Sequence, residues 1–367
     1  AKDSPSVRAT RKSMVSSTRP IFRLPPLLLL TTSAKALSRI GREPYFSRAT
    51  TNIKNYSRKS TMMPMSSSSS ANPVVIDSHL HVWADEEESK IFPYSPGSEP
   101  PPALANAASA ARLIETMKSC GVAGALIVQP INHKYDHSYV AEAIAAHPSV
   151  FKGMMLHDPS RDAEEAVQDL EQLLLDGFVG VRFNPYLWPE GKRMSDDPAA
   201  VAMCRRCADL KVPIGIMCFK GLDLHYDDIC SLIRKSPDTP IVLDHFGFTG
   251  LDEKGDKNFE KLLSLAEKKN VHVKISALFR IAGDVSPFPY EDVRRRRFVP
   301  LLERYGASRL LWGTDFPFVI ETEGGYEGAV DVVRSWCGVE QKDAAAILGG
   351  TSENLFGKWG GGPKMST

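Results

Sequence analysis

The stretch VVIDSHLHVW at residues 74–83 opens with an apolar run typical of a buried strand and ends around two histidines. Side chains two residues apart in a strand point to the same face, so His79 and His81 should project together from its end. Two imidazoles directed at one point can hold a metal ion or make several polar contacts with a substrate. The alternative is that they are ordinary polar residues near a strand end.

Seven further apolar runs follow, and helix-like segments separate most of them. The eight runs span residues 74–81, 123–129, 151–157, 177–184, 213–218, 240–245, 271–276 and 309–315. The segments with helical spacing span residues 107–119, 137–146, 161–175, 198–210, 226–235, 258–269 and 290–305. This alternation predicts parallel pairing and an α/β fold, a closed (β/α)₈ TIM barrel forming a single domain. No G-x-G-x-x-G follows any run, which weakens the alternative of an open doubly wound sheet.

The first seventy residues differ in composition from the rest. They contain thirteen Lys and Arg but only two acids, Asp3 and Glu43, and they are rich in Ser and Thr. That composition is typical of an organelle transit peptide. We therefore predict a disordered extension over residues 1–70, the barrel over 71–358 and a flexible tail over 359–367. The predicted destination is the plastid (chloroplast), with the mitochondrion as the alternative, or the cytosol if translation starts near Met62.

The charges of the whole chain nearly cancel, with 45 Lys and Arg against 44 Asp and Glu. This balance gives no electrostatic reason to expect binding to nucleic acid or to an anionic membrane. The strongest apolar stretch of the extension, residues 27–30, is far too short to cross a bilayer. Six scattered cysteines favour a reducing compartment, and the pair Cys204 and Cys207 lacks a second pair at zinc-site spacing. The oligomeric state stays open.

Polar residues follow the ends of most predicted strands, where the catalytic groups of such barrels lie. Charges that end apolar runs are costly to bury without partners. The candidates are His79, His81, Gln129, Arg182, Asn184, Tyr186, His245, Lys274, Arg280 and Asp315. Each has a structural alternative, such as a helix cap for Asp315 or a salt bridge at the rim for either arginine. A structural role for all of them together is a much weaker hypothesis.

Five motifs near these strand ends stand in a fixed order. They are Ile-Asp-Ser-His-Leu-His-Val-Trp from residue 76, Gly-Val-Arg-Phe-Asn from residue 180, Val-Leu-Asp-His-Phe-Gly from residue 242, Val-Lys-Ile-Ser from residue 273 with Arg280, and Leu-Trp-Gly-Thr-Asp-Phe-Pro from residue 311. Together they resemble the amidohydrolase superfamily, specifically its amidohydrolase-2 branch, from about residue 74 to residue 356. The branch includes lactonases of pyrone dicarboxylates and sugar acids, and decarboxylases of muconate-type acids.

The resemblance assigns metal or substrate binding to four residues, His79, His81, His245 and Asp315. One divalent ion, zinc or manganese, held by His79, His81 and Asp315 is one expectation, and a metal-free site is the other. The fifth strand ends near Cys218 without the histidine of metal-dependent relatives, and the fourth lacks a lysine that could bridge two metals, so a binuclear site is disfavoured. Phe318 also replaces the histidine usual after the last motif.

These residues predict hydrolysis of a small carboxylated substrate, in the first place a lactone. Asp315 would act as general base on a water, and the histidines would polarise the carbonyl and stabilise its oxyanion. Arg182 and Arg280 would each grip a carboxylate through two parallel hydrogen bonds. Further candidates for substrate contacts are Gln129, Asn184, Tyr186 and Lys274. Two alternatives stay open: metal-dependent non-oxidative decarboxylation of an aromatic or muconate-like acid, and a barrel that binds a small acid or a partner protein without catalysis.

Overall fold

The computed structural model describes residues 74–336 and 341–360, and its core is a ring of eight strands. The strands are β1 Ile76–Leu80, β2 Gly124–Val128, β3 Phe151–Leu156, β4 Phe178–Phe183, β5 Ile214–Ile216, β6 Ile241–Leu243, β7 Val271–Ile275 and β8 Leu310–Trp312. They pair in chain order, and every pair is parallel. All eight predicted strands are present, and the predicted (β/α)₈ barrel is confirmed.

The first and last strands close the ring through the residues that follow them. Leu80 forms a parallel bridge to Phe316. The His81 amide donates to the Phe316 carbonyl at 2.7 Å, and the Asp315 amide donates to the His79 carbonyl at 2.8 Å. The segments that carry the predicted histidines and the predicted carboxylate therefore run side by side at the carboxyl end of the barrel.

A buried carboxylate, Asp77, joins these two segments from behind. It accepts hydrogen bonds from the His79 amide at 3.1 Å and from the Thr314 amide at 3.0 Å. It also accepts from the Thr314 hydroxyl at 2.6 Å and the Tyr326 hydroxyl at 3.0 Å. The Thr314 hydroxyl in turn accepts from the Phe316 amide at 3.0 Å. We call Asp77, Thr314 and Tyr326 the Asp77 clasp.

Helices alternate with the strands and cover the outside of the barrel. They are α1 Ala110–Ser119, α2 Ser138–Ala146, α3 Ala163–Leu175, α4 Pro198–Leu210, α5 Tyr226–Lys235, α6 Glu253–Ser264, α7 Leu278–Ala282, α8 Glu291–Val293, α9 Val299–Tyr305, α10 Gly325–Trp336, α11 Gln341–Ala345 and α12 Thr351–Phe356. Helices α4 and α5 have the predicted bounds. The predicted helix over 290–305 is α8 and α9 joined by a π-helical turn.

The predicted bounds of the sixth helix, 258–269, were wrong by more than one helical turn at each end. Helix α6 begins at Glu253 because the Asp252 side chain accepts from the Gly255 amide at 2.7 Å and caps the first turn. Glycine is required at 255, since a Cβ there would lie 1.9 Å from the Gly250 carbonyl oxygen. The α-helix ends at Ser264 and is followed by a 3-10 turn.

A second cluster of apolar side chains packs within the barrel. They are Leu126, Val128, Met154, Val242 and Leu311 from the strands and Phe356 from α12. Met154 reaches across the interior because Gly180 and Gly215 leave room for it, and a Cβ at either would lie within 2.9 Å of its Cε or Sδ atom. The barrel interior is thus a packed core, and the chemistry of such folds belongs to the carboxyl ends of the strands.

Long connections follow β1 and β4. Residues 85–104 and 186–197 contain helical structure only as short 3-10 turns. The predicted extension over 1–70, the alternative start near Met62 and most of the predicted tail lie outside the described residues. Among the helices of residues 74–336 and 341–360, none has both the length and the hydropathy needed to cross a lipid bilayer.

Candidate active site

Three imidazoles surround one carboxylate oxygen at the carboxyl end of the barrel. Asp315 Oδ1 lies 3.6 Å from His81 Nε2, 3.8 Å from His245 Nε2 and 4.0 Å from His79 Nε2. All four side chains are buried. The strand periodicity that predicts a shared direction for His79 and His81 therefore agrees with their positions. We call these four residues the histidine-aspartate cluster.

The backbone is strained at two residues of this cluster. His245 has φ of 49° and Asp315 has φ of 65°, in the left-handed region that non-glycine residues rarely adopt. Such a conformation costs roughly 1–3 kcal/mol and persists only where surrounding contacts impose it. For Asp315 those contacts include the hydrogen bond from its amide to the His79 carbonyl. The strain turns both side chains inward over the barrel, which straight strands would not do.

Each imidazole has its Nδ1 atom engaged, so that Nε2 faces the centre of the cluster. His81 Nδ1 lies 2.8 Å from the Val128 carbonyl oxygen and must donate to it. His245 Nδ1 lies 2.8 Å from the Ser276 hydroxyl. Because the neutral ring of His81 carries its proton on Nδ1, its Nε2 is an acceptor or a metal ligand.

Behind His79, Asp244 is enclosed by three cationic or potentially cationic groups. Its Oδ1 atom lies 3.1 Å from His79 Nδ1 and 3.2 Å from Lys274 Nζ, and its Oδ2 atom lies 3.3 Å from Arg182 Nε. Burial acts to raise the pKa of Asp244, but Lys274, His79 and Arg182 together lower it well below the ordinary value. Asp244 is therefore an ionised buried carboxylate that holds two strand cations in place.

The protonation of His79 depends on which of two neighbours its Nδ1 atom bonds. Lys274 Nζ lies 3.0 Å from Nδ1, close to the distance of Asp244 Oδ1. If Nδ1 accepts from the Lys274 ammonium, the neutral ring carries its proton on Nε2 and presents a donor to the cluster. If Nδ1 donates to Asp244, Nε2 presents a lone pair. The first arrangement suits an oxyanion, and the second suits a metal ion.

Burial sets the charge of the imidazoles. It lowers the pKa of His81 to about 3, with Arg182 adding to the effect. It also lowers the pKa of His245 and of His79 well below the ordinary value, and Lys274 adds to the effect at His79. The three rings are therefore neutral near pH 7.

The pKa of Asp315 is shifted in the direction expected of a general base. Burial raises its pKa to about 6, against the opposing effect of the Arg280 guanidinium. The carboxylate is thus ionised at pH 7 but more basic than an exposed aspartate, which favours proton transfer from water.

Arg280 covers the outer side of Asp315. Its Nε atom donates to Asp315 Oδ2 at 2.7 Å, and its guanidinium lies over the rings of Phe318, at 4.7 Å, and Phe279, at 5.0 Å. Phe318, which stands where the resemblance leads one to expect a histidine, packs edge-on to His81 at 6.3 Å. Arg280 remains partly exposed, so it connects the buried cluster to the mouth of the barrel.

The cluster fits a single divalent ion. Donor atoms of His79, His245 and Asp315 all lie within 4.8 Å of one another, and His79 Nε2 has no hydrogen-bond partner among the described residues. The ligands of a tetrahedral zinc ion lie roughly 3.3 Å apart, slightly closer than the separations found. The sequence predicts His81 as the third ligand. The structure favours His245, whose ring centroid lies 4.2 Å from that of His79, whereas the His81 ring lies at 5.2 Å.

Residues 76–358 match the amidohydrolase family Amidohydro_2. The chain belongs to the amidohydrolase family. This amidohydrolase is 28% identical over 255 residues to 4-sulfomuconolactone hydrolase of Rhizobium radiobacter. The alignment covers 66% of this chain and 75% of that relative. It is 30% identical over 116 residues to L-fucono-1,5-lactonase of Burkholderia ambifaria, or 31% of this chain and 38% of that relative. Both relatives are named as hydrolases of lactones.

Solved structures show the same fold. A probable 2-pyrone-4,6-dicarboxylic acid hydrolase of Acinetobacter baumannii, with citric acid bound, aligns with a TM-score of 0.63 at 20% identity, covering 77% of this chain and 99% of that one. An amidohydrolase of Burkholderia multivorans with bound zinc aligns with a TM-score of 0.62 at 17% identity, with the same coverage. At these identities the likeness establishes the barrel alone.

The other predicted residues of the amidohydrolase lie around the cluster in differing roles. Gln129 Nε2 donates to two loop carbonyls, and its Oε1 atom is buried without a partner among the described residues. Asn184 Oδ1 accepts from the Tyr186 amide at 3.2 Å and caps a turn. The Tyr186 hydroxyl accepts from the Lys220 amide at 2.8 Å. Lys274 is fully buried behind His79, where it supports the cluster from the side away from the barrel mouth.

Cys218 lies outside the group of donor atoms that could hold a metal ion in the described part of the amidohydrolase. It is fully buried, and burial raises the pKa of its thiol well above the ordinary value. Burial has the same effect on Cys204, to about 12, and on Cys207. A protonated thiol is a poor nucleophile. These thiols pack in the core as small apolar groups.

Three supporting residues of the amidohydrolase are missing from the sequence-based candidates. Asp244 organises the cations behind His79, Ser276 orients His245, and Asp77 joins the two ends of the barrel. A usable signal exists for Asp244, since it directly precedes a candidate histidine at a strand end. Asp77 and Ser276 stand inside the quoted motifs, but their partners are far apart in sequence, so the sequence does not give their roles.

Proposed function

We propose that this amidohydrolase opens a small carboxylated lactone by adding water activated by Asp315. The observation that carries the proposal is the histidine-aspartate cluster, a basic carboxylate enclosed by three neutral imidazoles at the catalytic end of a barrel. Its relatives named as lactone hydrolases supply the substrate class.

In the proposed reaction, Asp315 takes a proton from a water whose oxygen forms a bond to the lactone carbonyl carbon. The carbonyl oxygen becomes an oxyanion, stabilised by a proton on His79 Nε2 when Lys274 occupies Nδ1. The tetrahedral intermediate then breaks the ring C–O bond. Asp315 returns its proton to the departing ring oxygen, and the product is an open-chain hydroxy acid or its keto tautomer.

A divalent ion, when bound, would be held by His79, His245 and Asp315 and would polarise the carbonyl and acidify the attacking water. Ser276 would keep its role in orienting His245 in either case. Because His81 Nε2 is an acceptor 3.6 Å from Asp315, it is placed to hold the second proton of the water.

The two arginines suit an acidic substrate. Arg280 lies at the boundary between Asp315 and the mouth, and its guanidinium has further donors beside the Nε–H used by Asp315. Arg182 lies deeper, and its Nε atom has no hydrogen-bond partner among the described residues, although Asp244 balances its charge. A substrate carboxylate can bind at either arginine without leaving a buried charge unpaired.

Ring opening is tested with purified protein on a panel of five- and six-membered lactones with and without carboxylates, read as acid release by a pH indicator. We expect turnover of carboxylated lactones and little or none of uncharged ones. Carbon dioxide is measured in parallel. Release of carbon dioxide from an aromatic or muconate-like acid without any lactone opening would assign the site to decarboxylation. Binding of acids without either reaction would assign it to a non-catalytic role.

The pH dependence follows from Asp315. Because a general base must be deprotonated, kcat/KM should fall about tenfold per pH unit as pH drops below the pKa of about 6. Above that pH the profile should be level, since burial keeps the three imidazoles neutral. The measurement is kcat/KM from about pH 4.5 to about pH 8, a range that spans this pKa. An acid limb centred below that range would contradict the role of Asp315.

Zinc added to metal-depleted protein should raise its melting temperature. At a zinc concentration about 100-fold above Kd, the melting temperature should rise by roughly 5 °C. Calorimetry should give one ion per chain. His245→Ala should abolish the rise because it removes one of the three donors. His272→Ala, at the opposite end of β7, should retain it. A rise of equal size in His245→Ala would place the ion elsewhere.

A further inference from the structure

The His79 ring lies between a group of buried charges and a carboxylate. Behind the ring, Lys274 Nζ lies 3.0 Å from Nδ1, and Asp244 contacts both Lys274 and Arg182. In front of the ring, Asp315 Oδ1 lies 4.0 Å from Nε2. All five side chains are buried, so solvent screens their charges much less than it would at the surface. The two nitrogens of one imidazole therefore face different electrostatic surroundings.

The charges behind His79 do not cancel. The single Asp244 carboxylate faces two cations, Lys274 and Arg182, which leaves one positive charge in excess. A neutral imidazole carries a lone pair on one nitrogen and an N–H on the other. The lone pair is stabilised beside the excess positive charge, and the N–H is stabilised when it faces the Asp315 carboxylate. The field therefore favours the form of His79 that carries its proton on Nε2.

The hydrogen bonds of Lys274 agree with this form. An ammonium has three hydrogens, so Lys274 can donate both to His79 Nδ1 at 3.0 Å and to Asp244 Oδ1 at 3.2 Å. It then bridges two acceptor atoms that lie 3.1 Å apart. With the ring proton on Nδ1 instead, the imidazole N–H and the ammonium would be two donors 3.0 Å apart that share one carboxylate oxygen. Lys274 therefore has one more hydrogen-bond acceptor when Nδ1 is unprotonated.

A proton on His79 Nε2 would be a buried donor without a partner. Among the described residues this nitrogen makes no hydrogen bond, and the Asp315 oxygen that it faces is too far away at 4.0 Å. His81, two residues along the same segment, has the opposite capacity, because its Nδ1 donates to the Val128 carbonyl and leaves a lone pair on Nε2. The cluster thus offers one donor and one acceptor side by side, and the donor is what an oxyanion needs.

We propose that Lys274 is a positioning residue that keeps the ring proton of His79 on Nε2, so that the cluster favours an oxyanion over a metal ion. The proposal rests on the lactone hydrolysis proposed above. A metal ion bound at Nε2 needs the lone pair there, which places the ring proton on Nδ1. Nδ1 then becomes a donor beside the Lys274 ammonium. Lys274 therefore weakens metal binding from behind the ring and strengthens the stabilisation of the oxyanion in front of it.

The position of the ring proton is measured directly by ¹⁵N NMR of metal-depleted protein labelled at histidine, because protonated and unprotonated ring nitrogens resonate far apart. His79→Gln identifies the signals of His79 by their loss. We expect a protonated Nε2 in wild type. In Lys274→Met the proton should move to Nδ1, where Asp244 remains as its acceptor. His81 should keep its proton on Nδ1 in both proteins, because the Val128 carbonyl accepts it.

Zinc binding measures the consequence for a metal ion. Calorimetry gives Kd for wild type, for Lys274→Met and for a matched control, Lys152→Met, at the start of β3, where Nζ donates to the Phe356 carbonyl. Lys274→Met should bind zinc roughly tenfold more tightly than wild type, at the low end of the effects of groups that contact a metal ligand from behind. Lys152→Met should bind zinc as wild type does.

Turnover measures the consequence for the oxyanion. With metal-depleted protein and the best lactone of the panel, Lys274→Met should lower kcat roughly 10²-fold, as the loss of one oxyanion donor does. KM should change by less than about threefold, because Lys274 does not contact the substrate in the proposed reaction. The melting temperature shows whether the variant folds.

Two outcomes would overturn the role of Lys274: a proton on His79 Nδ1 in wild type, or equal zinc affinity in wild type and a folded Lys274→Met. The wild-type spectrum decides the question even if Lys274→Met does not fold. Neither outcome bears on ring opening, which the lactone panel measures directly. Conversely, a protonated Nε2 that depends on Lys274, without hydrolysis of any lactone, would support the positioning role while refuting the proposed reaction.

Discussion

Asp315→Asn should lower kcat/KM for lactone opening by about 10³-fold, within the range attributed to loss of a general base. Asparagine keeps the size of the side chain and can still accept from Arg280, but its amide cannot take a proton from water. KM should change by less than about threefold, because the arginines proposed to bind the carboxylate remain. Steady-state kinetics on the best lactone of the panel gives both numbers.

Asp158→Asn is the matched control, because Asp158 also follows a barrel strand but its carboxylate accepts from the amide and hydroxyl of Ser160, outside the cluster. Its kcat/KM should remain within about twofold of wild type. Circular dichroism and the melting temperature establish that both variants fold. If Asp315→Asn retained more than about a tenth of wild-type kcat/KM while folding normally, another group would have to activate the water.

Asp244→Asn should produce the largest loss of stability, about 3–5 kcal/mol, because removing one partner leaves buried cations without their counter-charge. Lys274 and Arg182 both lie against this carboxylate, and all three side chains are buried. Lys274 can lose its proton, which limits the cost but also removes the ammonium donor at His79 Nδ1. Urea unfolding measures the loss, and activity should fall with it.

A second substitution distinguishes charge imbalance from simple damage to packing. In Asp244→Asn with Lys274→Met the buried ammonium is gone as well, so the double variant should be more stable than Asp244→Asn alone by about 1 kcal/mol or more. Asp256→Asn serves as control, since this exposed carboxylate also pairs with two arginines and should cost less than the buried one. Additive losses in the double variant would show that Asp244 and Lys274 do not interact.

The barrel could be predicted because its signals are local. Each strand is a short apolar run, and each helix shows apolar residues at helical spacing. The alternation of strands and helices is compatible with few topologies. The same locality predicts the pairing of His79 with His81, which depends only on strand periodicity. Local signals did not predict the start of α6, which is set by the Asp252 side chain and by the close approach of Gly255 to Gly250.

The site could be predicted only in part because its geometry depends on distant contacts. His245 reaches the cluster through a left-handed backbone conformation that nothing in its neighbouring sequence requires. The sequence predicts Lys274 as a substrate contact, yet the structure places it behind His79, because Asp244, which follows the neighbouring strand, attracts it.

The Asp77 clasp joins residues as far as 249 positions apart, Asp77 and Tyr326. A polypeptide still emerging from the ribosome would carry both histidines of the β1 segment long before it carried Asp315, the proposed general base. No proteolytic fragment lacking either terminal strand could work alone. Under the proposed mechanism, turnover therefore reports on complete assembly of the barrel.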